Sequence, residues 1–256
     1  MPPKDLLDAD KIHHGLKTKR IGSQIIAFDT VSSTNDTAAQ YANEPGNDGL
    51  VIIAEYQTAG KGRAGNKWFS EKGQSLLCSV LLINEELNAE LLSLTIAVAT
   101  AEAIDETARI KWPNDIILNG KKVAGILLES KQSEHGRVYI IGIGINCHQK
   151  EFPSEFNSAA TSIDLESGKI CDRILLARRL LSSIEHCINS SRTKPENVLK
   201  EWKQRSLLQG QRITVIHNGR EFSGNCIGID PERGLILLLD SGRPQFFPAV
   251  HTSIVK

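Results

Sequence analysis

The stretch Asp115–Ser130 reads DIILNGKKVAGILLES and places two β-rich runs on either side of Asn119-Gly120. Asn-Gly is the strongest short-range signal for a two-residue hairpin, because both residues tolerate the positive φ that this turn requires. The stretch therefore predicts a β-hairpin. The segment GRVYIIGIGIN at residues 136–146 supplies another strand.

Helical and strand patterns alternate ahead of the hairpin. The segment AELLSLTIAVATAEAIDETA is apolar over most of its surface, so we expect this long helix to lie buried against the sheet. Ser33 and Asp36 have the spacing of a helix cap. In chain order we expect a helical lead-in over 1–20, a strand from Ile25, a helix from Ser33 to Tyr41, strands over 50–56 and 74–82, and the long helix over 89–108.

The chain changes character near Gln211. Helices are expected over about 171–190 and 195–206, and short β runs with turn signals at Asn218-Gly219 and Asp240–Gly242 follow. Closely spaced short strands are typical of a small β-barrel. We therefore expect a larger domain over 21–206, after the lead-in, and a separate barrel domain over 207–256.

Composition and charge exclude several classes of function. The 256 residues include 30 Lys plus Arg and 30 Asp plus Glu, so no strongly basic surface for nonspecific nucleic-acid binding is indicated. Five scattered cysteines form no CxxC pair, which favours buried free thiols over zinc or redox chemistry. Neither a signal peptide nor an apolar run of about 18 residues is evident, so a cytoplasmic location is expected.

A glycine-rich segment, GKGRAGNKWFS at Gly60–Ser70, formally contains GxGxxG. A dinucleotide-binding loop would have to open a helix, whereas this segment leads through a second turn into a strand. A phosphate-binding P-loop would need Lys and Ser or Thr after Gly65, where Asn66 stands. Two interpretations remain: a loop whose amides and cations surround an anion, or a solvated basic turn.

Three further segments combine chemically useful residues. KWPND at Lys111–Asp115 places a cation, an aromatic ring and short polar groups within five residues, although Trp112 alone favours a core position. Lys122 follows the hairpin turn, where a lysine is usually a solubilising charge. Glycines alternate with isoleucines in GIGIN at 142–146, which clears one face of a strand for a ligand or for tight packing.

These segments in this order resemble the motifs of the biotin protein ligases. The similar motifs are Ser33-Thr34-Asn35, the glycine-rich loop, KWPND, Lys122 before Ala124-Gly125, and GIGIN, and the resemblance spans about residues 5–250. It implies an α/β fold: a class II synthetase-like catalytic domain with a mixed, antiparallel-rich sheet, followed by a small SH3-like barrel. It also implies an enzyme that uses ATP and Mg²⁺ to convert biotin to biotinyl-5'-AMP and then biotinylates a lysine of a carrier protein.

The resemblance assigns roles by position. Lys122 and Arg63 correspond to catalytic residues. The expected biotin-binding residues are Ser33, Thr34, Gln57, Gly60, Lys61, Arg63, Lys122, Gly125, Gly142 and Gly144. The expected nucleotide-binding residues are Trp68, Lys111, Asn114, Asp115 and Asn146, with Mg-ATP near Asp115. Lys61 and Asn66 occupy positions where arginines are common in the family, which predicts weaker loop closure or a lower affinity of the loop for an anion.

The resemblance also predicts partners and leaves two alternatives. A biotin carboxyl carrier protein or carboxylase domain is the expected acceptor, and the family commonly forms homodimers through the catalytic sheet. A lipoate ligase would share the chemistry, but the glycine-rich loop and the C-terminal barrel favour biotin. A noncatalytic biotin-binding protein is the second alternative, and the retention of Lys122, Lys111 and Arg63 argues against it.

Specific DNA binding is not expected. Bifunctional relatives carry a winged helix before the catalytic domain, whereas about 20 residues precede the first expected strand here. Footprinting on a biotin operon region with biotin and ATP should show no protection. A salt-resistant, sequence-specific footprint would contradict this expectation.

Overall fold

The computed structural model describes residues 6–154 and 159–255. Its helices are α1 Ala9–His14, α2 Thr34–Gln40, α3 Ala89–Ile104, α4 Ile163–Ser167, α5 Arg173–Thr193 and α6 Pro195–Arg205. Its strands are β1 Ile25–Phe28, β2 Val51–Ala54, β3 Ser75–Ile83, β4 Arg109–Lys111, β5 Asp115–Leu118, β6 Lys121–Ser133, β7 Gly136–Asn146, β8 Arg212–His217, β9 Arg220–Asp230, β10 Gly234–Leu239, β11 Pro244–Phe247 and β12 Thr252–Ile254.

Seven strands form the larger sheet, in the order β1-β2-β3-β7-β6-β5-β4. Strands β1 and β2 pair in parallel, and the other neighbours pair antiparallel. Asn119 and Gly120 have φ values of 48° and 82°, so they adopt the left-handed conformation that the hairpin between β5 and β6 requires. The expected mixed, antiparallel-rich sheet is confirmed.

Helices cover the two faces of this sheet unequally. Helix α3 packs between the sheet and helices α5 and α6, which explains why its sequence is apolar almost all round. On the opposite face, α2 covers β2, β3 and β7, where Ala38 meets Leu81 and Ile140 in a smaller apolar cluster. The part of this face that α2 leaves uncovered lines the cavity described below.

The five-stranded sheet, in the order β11-β10-β9-β8-β12, is entirely antiparallel. Asn218 and Gly219 have positive φ at the turn between β8 and β9, as the Asn-Gly signal predicts. Val215, Leu235 and Phe247 are buried and belong to the same apolar core as α3 and α6. The expected second β unit is confirmed, and it packs on the larger one.

Two local elements differ from the sequence-based expectation. The N-terminal helix covers only Ala9–His14: Asp8 caps its start and Gly15 ends it, while residues 1–5 of the expected lead-in lie outside the described residues. Ser33 occupies the N-cap position of α2, but its side chain makes no capping hydrogen bond. Instead its carbonyl accepts from the hydroxyl of Thr37.

A buried ion pair links α5 to the strand that leads to the glycine-rich loop. Arg173 Nη1 lies 2.8 Å from Glu55 Oε2, and the arginine side chain is fully inaccessible to solvent. Glu55 Oε1 also accepts from the amide of Leu7 at 2.6 Å, and Arg173 donates to the carbonyl of Ser75. Removing one partner of a buried ion pair is strongly destabilising, because the other partner is left as a buried charge without its counterion.

Replacing Arg173 with Met should lower the free energy of unfolding by about 3–5 kcal/mol, because Glu55 would keep a buried charge without its counterion. Urea unfolding followed by circular dichroism measures the change. The matched control is Arg212→Met, because Arg212 pairs with Asp240 while both side chains are more than half exposed. The control should unfold like the wild type, and equal losses in both variants would contradict the assignment.

Candidate active site

Glycines form the floor of the candidate site. Gly125 on β6 and Gly144 on β7 are directly paired, and both face the side of the sheet that carries α2. A Cβ atom at Gly144 would lie 2.5 Å from Cε2 of Trp68, and one at Gly125 would lie 2.9 Å from Cζ3 of the same indole. The absence of side chains at these two positions therefore allows an aromatic ring to lie flat against the sheet.

The glycine-rich loop carries that ring. Residues Arg63–Gly65 form a single short 3₁₀ turn and do not open an α-helix, so the loop lacks the loop-to-helix geometry of a dinucleotide-binding loop. Lys61 and Lys67 bridge across the loop, and the amide of Trp68 donates to the carbonyl of Gly60 at 3.0 Å. The loop thereby folds back over the floor. The indole Nε1 of Trp68 is buried, and no described residue forms a hydrogen bond with it.

A β-bulge turns Lys122 into the site. Ile117 pairs with Lys122 and Ile116 pairs with Ala124, so Val123 is an extra residue in β6. Without the bulge Lys122 would share a face with Ala124, which packs in the core. With the bulge it lies on the same face as Gly125. Lys122 Nζ is 2.6 Å from Asp115 Oδ1 and 5.7 Å from the centre of the Trp68 ring.

The loop, the floor and the small sheet enclose a cavity of about 570 Å³. This volume is in the range of small-molecule sites, roughly 300–1,000 Å³. The cations that line it are Lys61, Arg63, Lys67, Lys111 and Lys122, and the acidic residue that lines it is Asp115. Within the described chain, the cavity is therefore suited to an anionic ligand.

Arg63 joins three parts of the molecule. Its guanidinium donates to the carbonyl of Ala249, in the 3₁₀ turn between β11 and β12, and, at 3.4 Å, to Asn114 Oδ1. Burial lowers the pKa of Arg63, while the neighbouring carboxylates of Asp115 and Glu90 act in the opposite direction. Arginine has so high a pKa that the group stays charged, so a fixed cation stands inside a partly desolvated cavity.

A polar network forms the end of the cavity beside α2. Gln57 Oε1 accepts from the amide of Thr34 at 2.7 Å and also contacts its hydroxyl at 3.1 Å. Below them, Ser79 Oγ lies 2.8 Å from Thr34 Oγ1 and donates to Asn35 Oδ1 at 2.6 Å. Asn35 Nδ2 donates in turn to Glu129 Oε2 at 2.6 Å. The network fixes Thr34 and Gln57 at the cavity wall.

Two of the sequence-predicted site residues do not line the cavity. Gly60 is buried at the start of the loop, where an added Cβ would come within 2.7 Å of the carbonyl oxygen of Trp68. Asn146 is buried, and its amide donates to the carbonyl of Thr161 at 3.0 Å. The amide of Thr161 donates to the carbonyl of Lys122, so Asn146 lies one step behind Lys122. The predicted residues that line the cavity are Ser33, Thr34, Gln57, Lys61, Arg63, Trp68, Lys111, Asn114, Asp115, Lys122, Gly125, Gly142 and Gly144.

Two groups of residues around the cavity were not predicted from the sequence. Ser79 and Glu129 support Asn35, and Gly142 lacks a Cβ that would otherwise overlap the Asn35 amide. Residues 250–255, which include strand β12 of the small sheet, also line the cavity. The glycine at position 142 was a usable signal for the first group, since it was expected to clear the strand face. No local pattern indicated the second group.

Within the described residues, no group of three or more His, Cys, Asp or Glu side chains is arranged to hold a metal ion. Among the helices described, none has the length and apolar character needed to cross a membrane.

The fold and the cavity define a protein of the biotin and lipoate ligase type. Residues 27–146 match the biotin/lipoate A/B protein ligase family. The chain is 35% identical over 254 residues to the bifunctional ligase/repressor BirA of Bacillus subtilis, covering 95% of this chain and 78% of that protein. It is 30% identical to the biotin–[acetyl-CoA-carboxylase] ligase of Mycobacterium tuberculosis, covering 91% of this chain and 93% of that one.

A solved structure gives the same result. The biotin protein ligase of Aquifex aeolicus in complex with biotin and ATP superposes with a TM-score of 0.80 at 27% identity, covering 91% of this chain and 99% of that chain. The chain therefore belongs to the biotin protein ligase family.

The glycine floor can be tested through the indole it supports. Gly144→Ala should displace Trp68, because the new Cβ would overlap Cε2 of the ring. The other two tryptophans, Trp112 and Trp202, are buried, so a red shift of the tryptophan emission would report on Trp68. The matched control is Gly144→Ala in a Trp68→Phe background, where the emission should stay unchanged. A shift that persists in that background would contradict the packing.

Proposed function

We propose that this protein activates biotin with ATP to form biotinyl-5'-AMP and transfers the biotinyl group to a lysine of a biotin carboxyl carrier protein or carboxylase domain. The observation that supports this most directly is the position of Lys122. A bulge turns it into a cation-lined cavity, opposite the loop that carries Arg63. The fold is that of a ligase described in complex with biotin and ATP.

The reaction requires positive charge at one point. In the first step a carboxylate oxygen of biotin forms a bond to the α-phosphorus of ATP, and the bond from that phosphorus to the bridging oxygen breaks, releasing pyrophosphate. In the transition state the negative charges of the carboxylate and of the α-phosphate lie close together. Fixed cations in a partly desolvated cavity stabilise this arrangement. Lys122 and Arg63 are the proposed catalytic residues because both line the cavity.

The second step transfers the acyl group. The ε-amine of the carrier lysine attacks the carbonyl carbon of the adenylate, the bond to the phosphate oxygen breaks, and AMP leaves while the amine loses a proton. No nucleophilic side chain of the ligase is needed. The loop that folds back over the floor, held by the bridge between Lys61 and Lys67, would shield the adenylate from water until the carrier arrives.

The two ends of the cavity suggest how the substrates lie. We assign biotin to the end beside α2, where Ser33, Thr34 and Gln57 offer hydrogen-bonding groups at the wall. The remaining proposed biotin residues are Gly60, Lys61, Arg63, Lys122, Gly125, Gly142 and Gly144. We assign ATP to the end formed by Lys111, Asn114 and Asp115, with Trp68 as the adenine neighbour. Asn146 would act on this end only through the segment that holds Lys122.

Magnesium would enter with the nucleotide. Mg²⁺ is usually held by one or two carboxylates together with the phosphates of its substrate, so a cage of protein ligands is not required. Asp115 supplies a carboxylate at the cavity wall, and Asn114 supplies an amide oxygen beside it. Bound there, the ion would neutralise phosphate charge. Asp115 already pairs with Lys122, so its carboxylate would be shared between two cations.

Several broader expectations belong to the same proposal. We propose a catalytic domain over 21–206, a barrel domain over 207–256 and a cytoplasmic location. We also propose no specific DNA partner and a homodimer formed through the catalytic sheet. Sedimentation at monomer mass over a wide range of protein concentration would contradict the homodimer.

Substrate identity is tested by incubating the protein with ATP, a carboxylase carrier domain and either biotin or lipoate. Biotinylation of the carrier with release of pyrophosphate is expected. Modification only with lipoate would reassign the acyl group. Tight biotin binding without pyrophosphate release would indicate a protein that binds biotin but does not activate it.

Replacing Lys122 with Gln should lower the rate of adenylate formation by roughly 10²-fold or more, because charge stabilisation in the transition state is lost. An amide of similar length keeps the packing, so the unfolding midpoint should barely change. Preformed biotinyl-adenylate should bypass much of the defect. Pyrophosphate release measures the first step, and carrier labelling measures the second.

The matched control is Lys121→Gln, one position away and exposed to solvent. This variant should form adenylate like the wild type. Normal adenylate formation by Lys122→Gln, or damage confined to the Lys121 variant, would show that the catalytic lysine is wrongly placed.

A further inference from the structure

Glu90 is a buried carboxylate in a helix that is otherwise almost entirely apolar. It lies in the first turn of α3, and only 9% of its surface is exposed. Glu90 Oε1 accepts a hydrogen bond of 2.7 Å from the amide of Ala249. Burial raises the pKa of Glu90, while this hydrogen bond and the charge of Arg63 act in the opposite direction.

Ala249 is held on both sides. Its amide donates to Glu90, and its carbonyl accepts from the guanidinium of Arg63. Arg63 also reaches Asn114 in the turn between β4 and β5. The 3₁₀ turn between β11 and β12 is thus connected through Ala249 to α3, to the glycine-rich loop and to the proposed nucleotide end. The next six residues, 250–255, line the cavity.

Glu90 itself does not line the cavity, so any influence on a bound ligand has to pass through Ala249 and Arg63. A buried carboxylate is costly unless its hydrogen bonds and charge are matched, and an apolar side chain would serve packing alone at least as well. A carboxylate also accepts a stronger hydrogen bond from a backbone amide than a neutral group does. The charge at position 90 therefore calls for an explanation beyond packing.

We propose that Glu90 is a positioning residue that fixes Ala249 and, through the carbonyl of Ala249, the guanidinium of Arg63, so that segment 249–255 closes the nucleotide end of the cavity. This inference rests on the proposed function. It concerns ATP more than biotin, because Arg63 is the proposed biotin contact that Glu90 reaches, whereas Thr34 and Gln57 are held by a separate hydrogen-bond network.

The test compares Glu90→Leu and Glu90→Gln with the wild type, using Glu86→Gln as the matched control because Glu86 is exposed just before the same helix. Adenylate formation at varied ATP gives KM and kcat, and calorimetry without ATP gives the affinity for biotin. Glu90→Leu should raise the KM for ATP roughly tenfold or more, since a misplaced cation loses its interaction with the phosphates. Its affinity for biotin should fall by less than the KM for ATP rises, because Arg63 is displaced while Ser33, Thr34 and Gln57 keep their positions.

The smaller substitution separates the two contacts. Glutamine at position 90 keeps an oxygen that can accept from Ala249 but loses the charge that attracts Arg63, so its KM for ATP should fall between those of the wild type and Glu90→Leu. Glu86→Gln should match the wild type. In a double-mutant cycle, Glu90→Leu and Arg63→Ala should be strongly non-additive, because both act through the guanidinium.

Hydrogen exchange supplies a readout that needs no substrate. The amide of Ala249 should exchange faster in Glu90→Leu than in the wild type, while core amides of β3 and β7 should exchange at wild-type rates. If Glu90 served only the stability of the fold, Glu90→Leu would instead lower hydrogen-exchange protection throughout the protein. It would also weaken ATP and biotin binding to the same extent.

The possible outcomes distinguish a wrong role for Glu90 from a wrong proposed function. An active wild type with an unchanged KM for ATP in Glu90→Leu, an additive cycle, or equal losses for ATP and biotin would overturn the role of Glu90 alone. A wild type that forms no adenylate from biotin and ATP would overturn the proposed function and, with it, any role of Glu90 in that reaction.

Discussion

The cross-strand pair of glycines at Gly125 and Gly144 is the constraint on which the site depends. Helices α3, α5 and α6 take up one face of the sheet, and α2 takes up only part of the other. The part of that face left uncovered has to accommodate both the flat indole of Trp68 and a ligand. Glycine, which has no side chain, leaves the space that both require. Placing alanine at either position would bring a methyl group against Trp68.

The bulge at Val123 brings the positive charge of Lys122 to this glycine floor. A regular strand would turn Lys122 toward the apolar core, where an unpaired ammonium group is strongly disfavoured. The extra residue reverses the direction of Lys122 while Ala124 and Ile126 remain buried. Segment 159–161 then fixes the backbone of Lys122 through hydrogen bonds on both its amide and its carbonyl.

Local patterns predicted the elements but not the contacts between distant parts of the chain. The Asn119-Gly120 turn, the apolar helix α3 and the short strands after Gln211 follow from periodicity and turn chemistry, which act over a few residues. The fold brings the residues predicted from the resemblance to one cavity, except Gly60 and Asn146, which do not line it. The link between Asn35 and Glu129 joins residues 94 positions apart, and that between Glu90 and Ala249 joins residues 159 apart. Such pairings depend on how the sheets pack, which periodicity does not encode.

The contact between Arg63 and Ala249 also has a consequence for the order of events during synthesis. The two residues are 186 positions apart, so a nascent chain can complete the seven-stranded sheet while the wall formed by 250–255 has not yet been made. Domains generally fold as units as they leave the ribosome. The floor and the polar end would then be ready before the cavity can close, and a reactive intermediate would gain protection from water only after the small sheet has docked.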